Sequence, residues 1–125
     1  VFFEMAKRGF IYKNKKIYKD FISIGKFNQI VYELINKNSF GSYNLSLGKK
    51  IYINQLIEWL NFYNTKIIKT IKPKNSFNND NFTLNNMKLM NKIKIKNNIK
   101  IFKNECLEIS KSFFKKNEKK NNFNI

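Results

Sequence analysis

The sequence is poor in the residues that most often carry catalysis or bind metals. Its 125 residues include no histidine, one cysteine and eight acids. No disulfide, Cys–His zinc site or histidine general base can therefore form within the chain. Glu105 and Glu108 are spaced to share one helix face, and ion pairing with neighbouring lysines is their expected use. We expect no enzymatic activity, cofactor, metal ion or small-molecule substrate.

Long hydrophobic runs are also missing. No stretch approaches the roughly 18 apolar residues of a membrane-spanning helix, so we expect no membrane insertion. Residues 1–5 are too short and wrongly charged for a signal peptide, and no Arg-rich presequence is visible. The absence of a leader is what we expect of a protein encoded in the organelle where it works.

Positive charge is what the chain has in excess. Lysine and arginine total 25 against eight acids, for a net charge of +17. The 24 lysines, 22 asparagines and 18 isoleucines are all read from AT-rich codons, which indicates an AT-biased genome such as that of an organelle. Codon bias explains lysine in place of arginine but not the shortage of acids. The charge favours a polyanionic partner, either nucleic acid or an anionic membrane surface.

Apolar spacing predicts a mainly α-helical fold. The first helix should run from Lys26 to Asn36, and the second from Tyr52 to Asn64, with Trp59 capping the core against the first. A last helix should contain Cys106 as a small core residue. The predicted core faces are Phe27, Ile30, Val31, Leu34 and Ile35 in the first helix, Ile53, Leu56, Ile57, Leu60 and Tyr63 in the second, and Phe102, Cys106, Ile109 and Phe113 in the last.

Other segments allow two readings. The apolar stretches around the basic residues 13–16 predict a short hairpin or an extended arm. Residues 66–72 either prolong the second helix or form a strand. A third helical stretch begins at Leu84. In residues 92–101, apolar and basic residues alternate around Asn97-Asn98, as they would in a β-hairpin. A helix is the alternative, and we favour it.

We divide the chain into three regions. Residues 1–72 hold an N-terminal arm and the helical core. Residues 73–83 form a flexible, Asn-rich insertion. Residues 84–125 are a helical, Lys-rich region whose end, from Lys115, is a basic tail without a core face.

A turn before the first helix is the sharpest candidate for an anion contact. Gly25 permits a close backbone approach, and the helix N-terminus supplies unpaired N–H groups and a partial positive charge. Lys26 adds a full charge, and Ser23 lies in the same turn. The simpler alternative is that Gly25 only permits a turn between two packed segments.

Lysines recur in runs between apolar residues, a pattern that neutralises phosphates without reading base sequence. The candidate RNA-binding lysines outside the turn are Lys13, Lys15, Lys16, Lys49, Lys50, Lys92, Lys94, Lys96, Lys100, Lys103, Lys115, Lys116, Lys119 and Lys120. Aromatic residues make up 16% of the chain. Helical phase assigns Phe27, Phe62, Phe102 and Phe113 to the core, whereas Tyr12, Tyr18 and Tyr43 are candidates to stack on unpaired bases.

The order of these elements resembles the small-subunit ribosomal protein thirteen family over residues 10–63. The shared features are a basic arm, the turn at residues 21–26, the helix at residues 27–37, an extended link at residues 45–47 and a second helix that contains Gln55. The resemblance implies a helix–two-turn–helix core with an extended basic N-terminal arm and a C-terminal tail. It also implies ribosomal RNA binding in the small-subunit head, beside neighbouring head proteins and near the large subunit.

The chain also departs from that family. Ser23 stands where the turn of the family has its first glycine. The family's Arg-Gly-rich C-terminal tail, which reaches toward the tRNA sites, is replaced by lysine and asparagine, so tRNA contact is not implied. Asn98, Lys100 and Cys106 are faintly similar to the third helix of the family and the cysteine after it.

Three hypotheses follow. The first is a structural, RNA-binding protein of an organellar ribosome, mitochondrial rather than plastid-type. The second is a lineage-specific accessory subunit of an organellar membrane complex, docked on an anionic surface; it should present one uncovered apolar stripe. The third, a small nucleic-acid enzyme, lacks paired acids and histidine.

Overall fold

The structure, a computed structural model, describes residues 11–12, 16–63, 70–71 and 81–121, with side chains for residues 16–63 and 81–112. The chain is small and mainly helical, as predicted. In chain order the elements are β1 (Ile11–Tyr12), β2 (Tyr18–Lys19), α1 (Ile24–Asn36), β3 (Ile51–Tyr52), α2 (Ile53–Leu60), β4 (Thr70–Ile71), α3 (Met87–Lys92) and α4 (Ile99–Asn121).

The short strands pair across long distances in the chain. β1 lies parallel to β4, and β2 lies antiparallel to β3, with Tyr18 opposite Tyr52. The predicted hairpin between the first two apolar stretches is therefore wrong, because each stretch pairs with a later strand instead. Thr70 and Ile71 form a strand, which was one of the two options for residues 66–72.

Helix α1 begins and ends at local signals. The Ser23 hydroxyl accepts a hydrogen bond from the Lys26 N–H at 3.1 Å and caps the N-terminus. Asn38 takes a positive φ of 47°, which asparagine tolerates better than most residues. The N–H of Ser39 then reaches the carbonyl of Leu34 at 3.0 Å, so the helix closes with a Schellman motif.

The first part of the core lies between α2 and α4. The predicted core residues Leu56, Ile57 and Leu60 are buried there, against Phe102 and Cys106. Leu47 and Ile51 complete the buried cluster, and Phe21, Ile53 and Trp59 lie at its margin.

Trp59 and α4 depart from the prediction. The ring of Trp59 contacts Phe102 edge to face, with 6.2 Å between centroids, so it covers α4 and not the first helix. On α4 the buried row continues to Ser110, which is 0% exposed, whereas Ile109 is 41% exposed. The small Ser110 side chain lets α2 approach and donates a hydrogen bond to the Leu60 carbonyl at 2.6 Å. Tyr63, predicted in the α2 face, is also exposed.

The second part of the core joins α1 to α3. Ile30, Leu89 and Ile93 are buried together, with Leu34, Tyr43 and Leu45 packed against them. The extended residues between β2 and α1 connect the two parts, because Phe21 lies in the first cluster and Ile22 in the second. Alternation along an extended chain puts neighbouring side chains on opposite sides.

Ile35 was predicted to be part of the core but is 65% exposed. The segment at 93–98 also differs from both predictions, since it is neither helix nor hairpin. Ile93 and Ile95 pack inward, while Lys94 between them and the flanking Lys92 and Lys96 are exposed. The alternation therefore marks an extended segment that packs on the second cluster. Asn98, predicted in the hairpin turn, instead caps α4 by accepting from Ile101 N at 3.0 Å. Helix α4 then runs to Asn121, into the predicted tail.

Part of the predicted insertion at residues 73–83 lies outside the described residues. Asn81 and Phe82 are described and contact β2. The Asn81 side chain accepts from Tyr18 N and donates to the Lys16 carbonyl, both at 3.0 Å. The Lys19 ammonium lies 4.8 Å from the centre of the Phe82 ring. Any deletion that tests the insertion should therefore spare these two residues.

Gly48 offers a sharp test of the loop before β3. Its φ is +69°, and a Cβ added there would lie 2.5 Å from the Asn86 Oδ1 atom. We expect Gly48→Ala to lower the free energy of unfolding by about 2 kcal/mol, from the left-handed conformation and the clash together. Gly25→Ala is the matched control, because a Cβ added there would meet no atom of the described residues within 4 Å. It should raise stability by up to about 1 kcal/mol because alanine favours helix. Urea unfolding of both variants checks this, and equal effects would contradict it.

Candidate nucleic-acid interface

The described surface is dominated by lysine. Ten lysines are exposed, and they project from β-strand ends, loops and helices: Lys16, Lys49, Lys50, Lys88, Lys92, Lys94, Lys96, Lys100, Lys103 and Lys111. Of the candidate lysines named from the sequence, Lys13 and Lys15 lie outside the described residues. Lys115, Lys116, Lys119 and Lys120 lie on α4 beyond the described side chains.

The acids are used differently, since three of the five with described side chains make contacts inside the fold. Asp20 accepts backbone hydrogen bonds, and Glu105 pairs with Lys26. Glu33 pairs with Lys37 at the end of its own helix and accepts from Lys94 N in the segment after α3. Glu58 and Glu108 are exposed. Internal use of carboxylates leaves the described surface more positive than the composition alone implies.

Glu33 ties α1 to the segment that carries Lys94. Its Oε1 atom accepts from Lys94 N at 2.7 Å, and Lys37 Nζ lies at 2.5 Å. The hydrogen bond from the Lys37 side chain, followed by the one from Lys94 N–H, lowers the pKa of the Glu33 carboxyl below its usual value. The stabilisation from this carboxylate is therefore present above the ordinary carboxyl pKa and is lost as the pH falls through the lowered value.

This arrangement positions a row of three lysines. Lys92, Lys94 and Lys96 are all exposed. The second-cluster contacts of Ile93 and Ile95 hold the backbone that carries them. Two of these lysines are bonded to the rest of the fold through their backbone atoms. The Lys92 carbonyl accepts from Lys37 Nζ at 2.7 Å, and Lys94 N donates to the Glu33 carboxylate. Their ammonium groups can therefore meet phosphates without loss of those two bonds.

The turn at Ser23, Gly25 and Lys26 does lie at a helix N-terminus. Gly25 is exposed, with open space around it. Lys26 is more enclosed, because its side chain is 11% exposed and its Nζ atom lies 3.8 Å from Glu105 Oε1 on α4. Gln29 Oε1 accepts from the same Nζ at 3.3 Å. The geometry thus gives Lys26 a tethering contact between α1 and α4.

Lys26→Met tests the tether against the predicted phosphate contact. We expect it to lower the free energy of unfolding by about 1 to 2 kcal/mol, since it leaves Glu105 without its cation. The loss is below that of a fully buried pair because Glu105 is partly exposed. RNA affinity should hardly change. Lys103→Met, on the exposed face of α4, is the control for stability. Weaker RNA binding with unchanged urea unfolding would instead favour the phosphate contact.

Basic and aromatic side chains meet on the β2–β3 strand pair. Lys50 Nζ lies 4.8 Å from the centre of the Tyr18 ring, and Tyr18 contacts Tyr52 edge to face at 5.6 Å. Tyr52 was not a candidate from the sequence, since its place in the second predicted helix concealed it. Its register opposite Tyr18 comes only from strand pairing. Of the other aromatic candidates, Tyr43 is half-buried under Lys88, and the Tyr12 side chain lies outside the described residues.

One face of α1 carries no charge. Ile24, Asn28, Tyr32 and Ile35 share one side of the helix and are all exposed. An open groove of about 380 Å³ runs beside it. The residues that line this groove are Gln29, Tyr32, Glu33, Asn36, Lys37 and Ile95.

Cys106 is buried, as predicted, and burial followed by the neighbouring Glu105 carboxylate raises the pKa of its thiol to about 11. The thiol is thus protonated at neutral pH and a poor nucleophile.

Within the described ranges, no three acidic or thiol side chains are grouped to hold a metal ion. Among the described residues, no helix has both the length and the hydropathy for a membrane crossing.

Comparison of the chain with protein-family models, with curated proteins and with solved structures finds no match in any of the three.

Proposed function

We propose that the protein is a structural, RNA-binding constituent of an organellar ribosome, in the head of the small subunit. A mitochondrial ribosome is the proposed setting, with a plastid-type organelle as the alternative. Ribosomal RNA is the main partner. Neighbouring head proteins and the large subunit are further partners, and the protein has no catalytic role.

The observation that carries this proposal is the unequal use of charge. Ten exposed lysines project from separate segments of the described chain, whereas Asp20, Glu33 and Glu105 are engaged within it. A scattered cationic surface suits RNA that is folded around a small protein, because each lysine can neutralise a different phosphate. A catalytic or small-ligand site would instead concentrate its polar groups in one cleft.

The proposal also includes a specific fold for the helical core. Helices α1 and α2, with the link between them, correspond to the helix–two-turn–helix core that the resemblance implies. The capped N-terminus of α1 coincides with the turn at residues 21–26. An extended basic N-terminal arm and a C-terminal tail belong to this assignment as RNA contacts.

The uncharged face of α1 bears on the membrane-surface alternative. Exposed Ile24, Tyr32 and Ile35 are the apolar stripe that this alternative requires. An interfacial helix on an anionic membrane, however, carries lysines beside its apolar face. The two lysines of α1 and its C-terminal cap, Lys26 and Lys37, pair with Glu105 and Glu33. The stripe therefore suits a neighbouring protein better than a lipid surface, since charged residues are depleted at the core of protein interfaces.

Co-sedimentation separates these functions. Labelled chain is mixed with small ribosomal subunits from the organelle, with large subunits, or with vesicles of phosphatidylcholine and phosphatidylserine. We expect it to sediment with small subunits and to be released as salt is raised, because phosphate contacts are screened. Binding to the vesicles alone would overturn the ribosomal proposal and support the membrane alternative.

A further inference from the structure

The two tyrosines of the β2–β3 strand pair are held in a defined position. Ile53 N donates to the Ile17 carbonyl at 3.0 Å on one side of the pair. Tyr18 N points the other way, to Asn81 Oδ1 at 3.0 Å. Tyr18 and Tyr52 are thus a non-hydrogen-bonded pair, the arrangement in which cross-strand side chains lie closest. Their rings meet edge to face, with an interplanar angle of 70°.

Both strands are fixed by contacts with the rest of the fold, so the two rings are held in place. Ile51, the residue before Tyr52, is 0% exposed and belongs to the first core cluster. Asn81 fixes the outer edge of β2. Tyr52 nevertheless remains 37% exposed. A tyrosine that served only the core would be expected to bury its ring.

One lysine lies over the pair, and two more are close to it along the chain. Lys50 Nζ lies over the Tyr18 ring at 4.8 Å. Lys49 and Lys50 precede β3 and are both exposed, as is Lys16 before β2. An exposed aromatic ring beside several ammonium groups is the combination with which proteins bind single-stranded nucleic acid: the ring stacks on a base, and the cations contact the flanking phosphates.

We propose that this tyrosine platform, comprising Tyr18, Tyr52, Lys49 and Lys50, binds an unpaired base of RNA. Tyr52 stacks on the base, Tyr18 supports Tyr52 from the side, and Lys49 and Lys50 contact the adjacent phosphates. The inference rests on the proposed RNA-binding function and narrows it to a loop, bulge or single-stranded end. Bases inside a duplex already stack on their neighbours on both faces, so they offer no surface to the ring.

The test uses the full chain and two labelled RNAs, an unstructured pyrimidine-rich oligonucleotide and a duplex of the same length, with binding followed by fluorescence anisotropy. Tyr52→Leu keeps apolar bulk on the strand but removes the aromatic face. We expect it to weaken binding of the unpaired RNA by about fivefold to a hundredfold, the range for loss of one base–aromatic stack, with the duplex affected less than about twofold. Tyr52→Phe should bind as the parent does.

Tyr32→Ala is the matched control, because Tyr32 is 69% exposed but lies on α1, away from the platform. It should leave both affinities unchanged. Far-UV circular dichroism and urea unfolding show that each variant is folded. Equal losses for the two RNAs, no loss with Tyr52→Leu, or the same loss with Tyr32→Ala would each overturn the platform, while salt-sensitive binding by the parent would leave the proposed function intact. A parent chain that binds neither RNA would overturn both.

Discussion

Asp20→Ala should lower the free energy of unfolding by about 3 kcal/mol, a large part of the stability of a domain of this size. The Asp20 carboxylate accepts from Leu47 N at 3.0 Å, from Gly48 N at 3.1 Å and from Leu84 N at 3.0 Å. One side chain thus joins the end of β2 to the loop before β3 and to the segment before α3. Its removal leaves three backbone donors without their acceptor, and a charged acceptor makes each loss greater.

Urea unfolding followed by far-UV circular dichroism measures this effect, read as a lower midpoint at an unchanged slope. Glu58→Ala is the matched control, because it removes an exposed carboxylate of α2 and should change stability by less than about 0.5 kcal/mol. Asp20→Asn should fall between the two, since the amide retains one acceptor oxygen. If Asp20→Ala unfolded at the same urea concentration as Glu58→Ala, the three-way junction would not stabilise the fold.

RNA affinity should fall about a thousandfold when monovalent salt rises from about 50 to about 200 mM. This magnitude corresponds to about six lysine–phosphate contacts, each of which releases condensed counterions. The described surface offers ten exposed lysines, so six simultaneous contacts need only part of it. Titrations at several salt concentrations give the slope of log affinity against log salt. A nearly flat slope would show that phosphate neutralisation is not the main source of binding.

The row of lysines before α4 provides the variant for that experiment. Changing Lys92, Lys94 and Lys96 together to glutamine should reduce the slope by about two to three units, roughly one for each lost contact. The backbone bonds to Lys37 and Glu33 do not depend on these side chains, so the fold should be retained. Lys26→Met is the control for charge alone, because that lysine is enclosed, and it should leave the slope unchanged.

Helical periodicity predicted the existence of α1, α2 and α4 and most of their buried positions. Ile30, Leu56 and Phe102 are all core residues, as their spacing indicates. This works because one face of each helix has to leave water, and the repeat of the helix determines which side chains share that face. The breaker cluster after Asn36 was equally informative, since Asn38 does take the left-handed conformation that ends α1.

Periodicity gave a wrong prediction where the spacing of apolar residues was compatible with more than one backbone conformation. The alternation at residues 92–101 was compatible with a hairpin or a helix, but residues 93–98 form neither, because both Ile93 and Ile95 can be buried from an extended segment. Ile35 has the spacing of a core residue, but none of the described elements covers its side of α1. Ser110 gave no apolar signal, although a small side chain is what the approach of α2 requires.

The sequence by itself determined the strong positive charge, the absence of a histidine or disulfide site, and the helices with a clear apolar face. These properties depend on composition or on residues within a few positions of one another. Only the tertiary structure decided that Asp20 joins three segments, that Lys26 faces Glu105, and that Tyr18 lies opposite Tyr52. Each of these contacts joins residues far apart in the chain, and local spacing carries no information about which distant segments the burial of the core brings together.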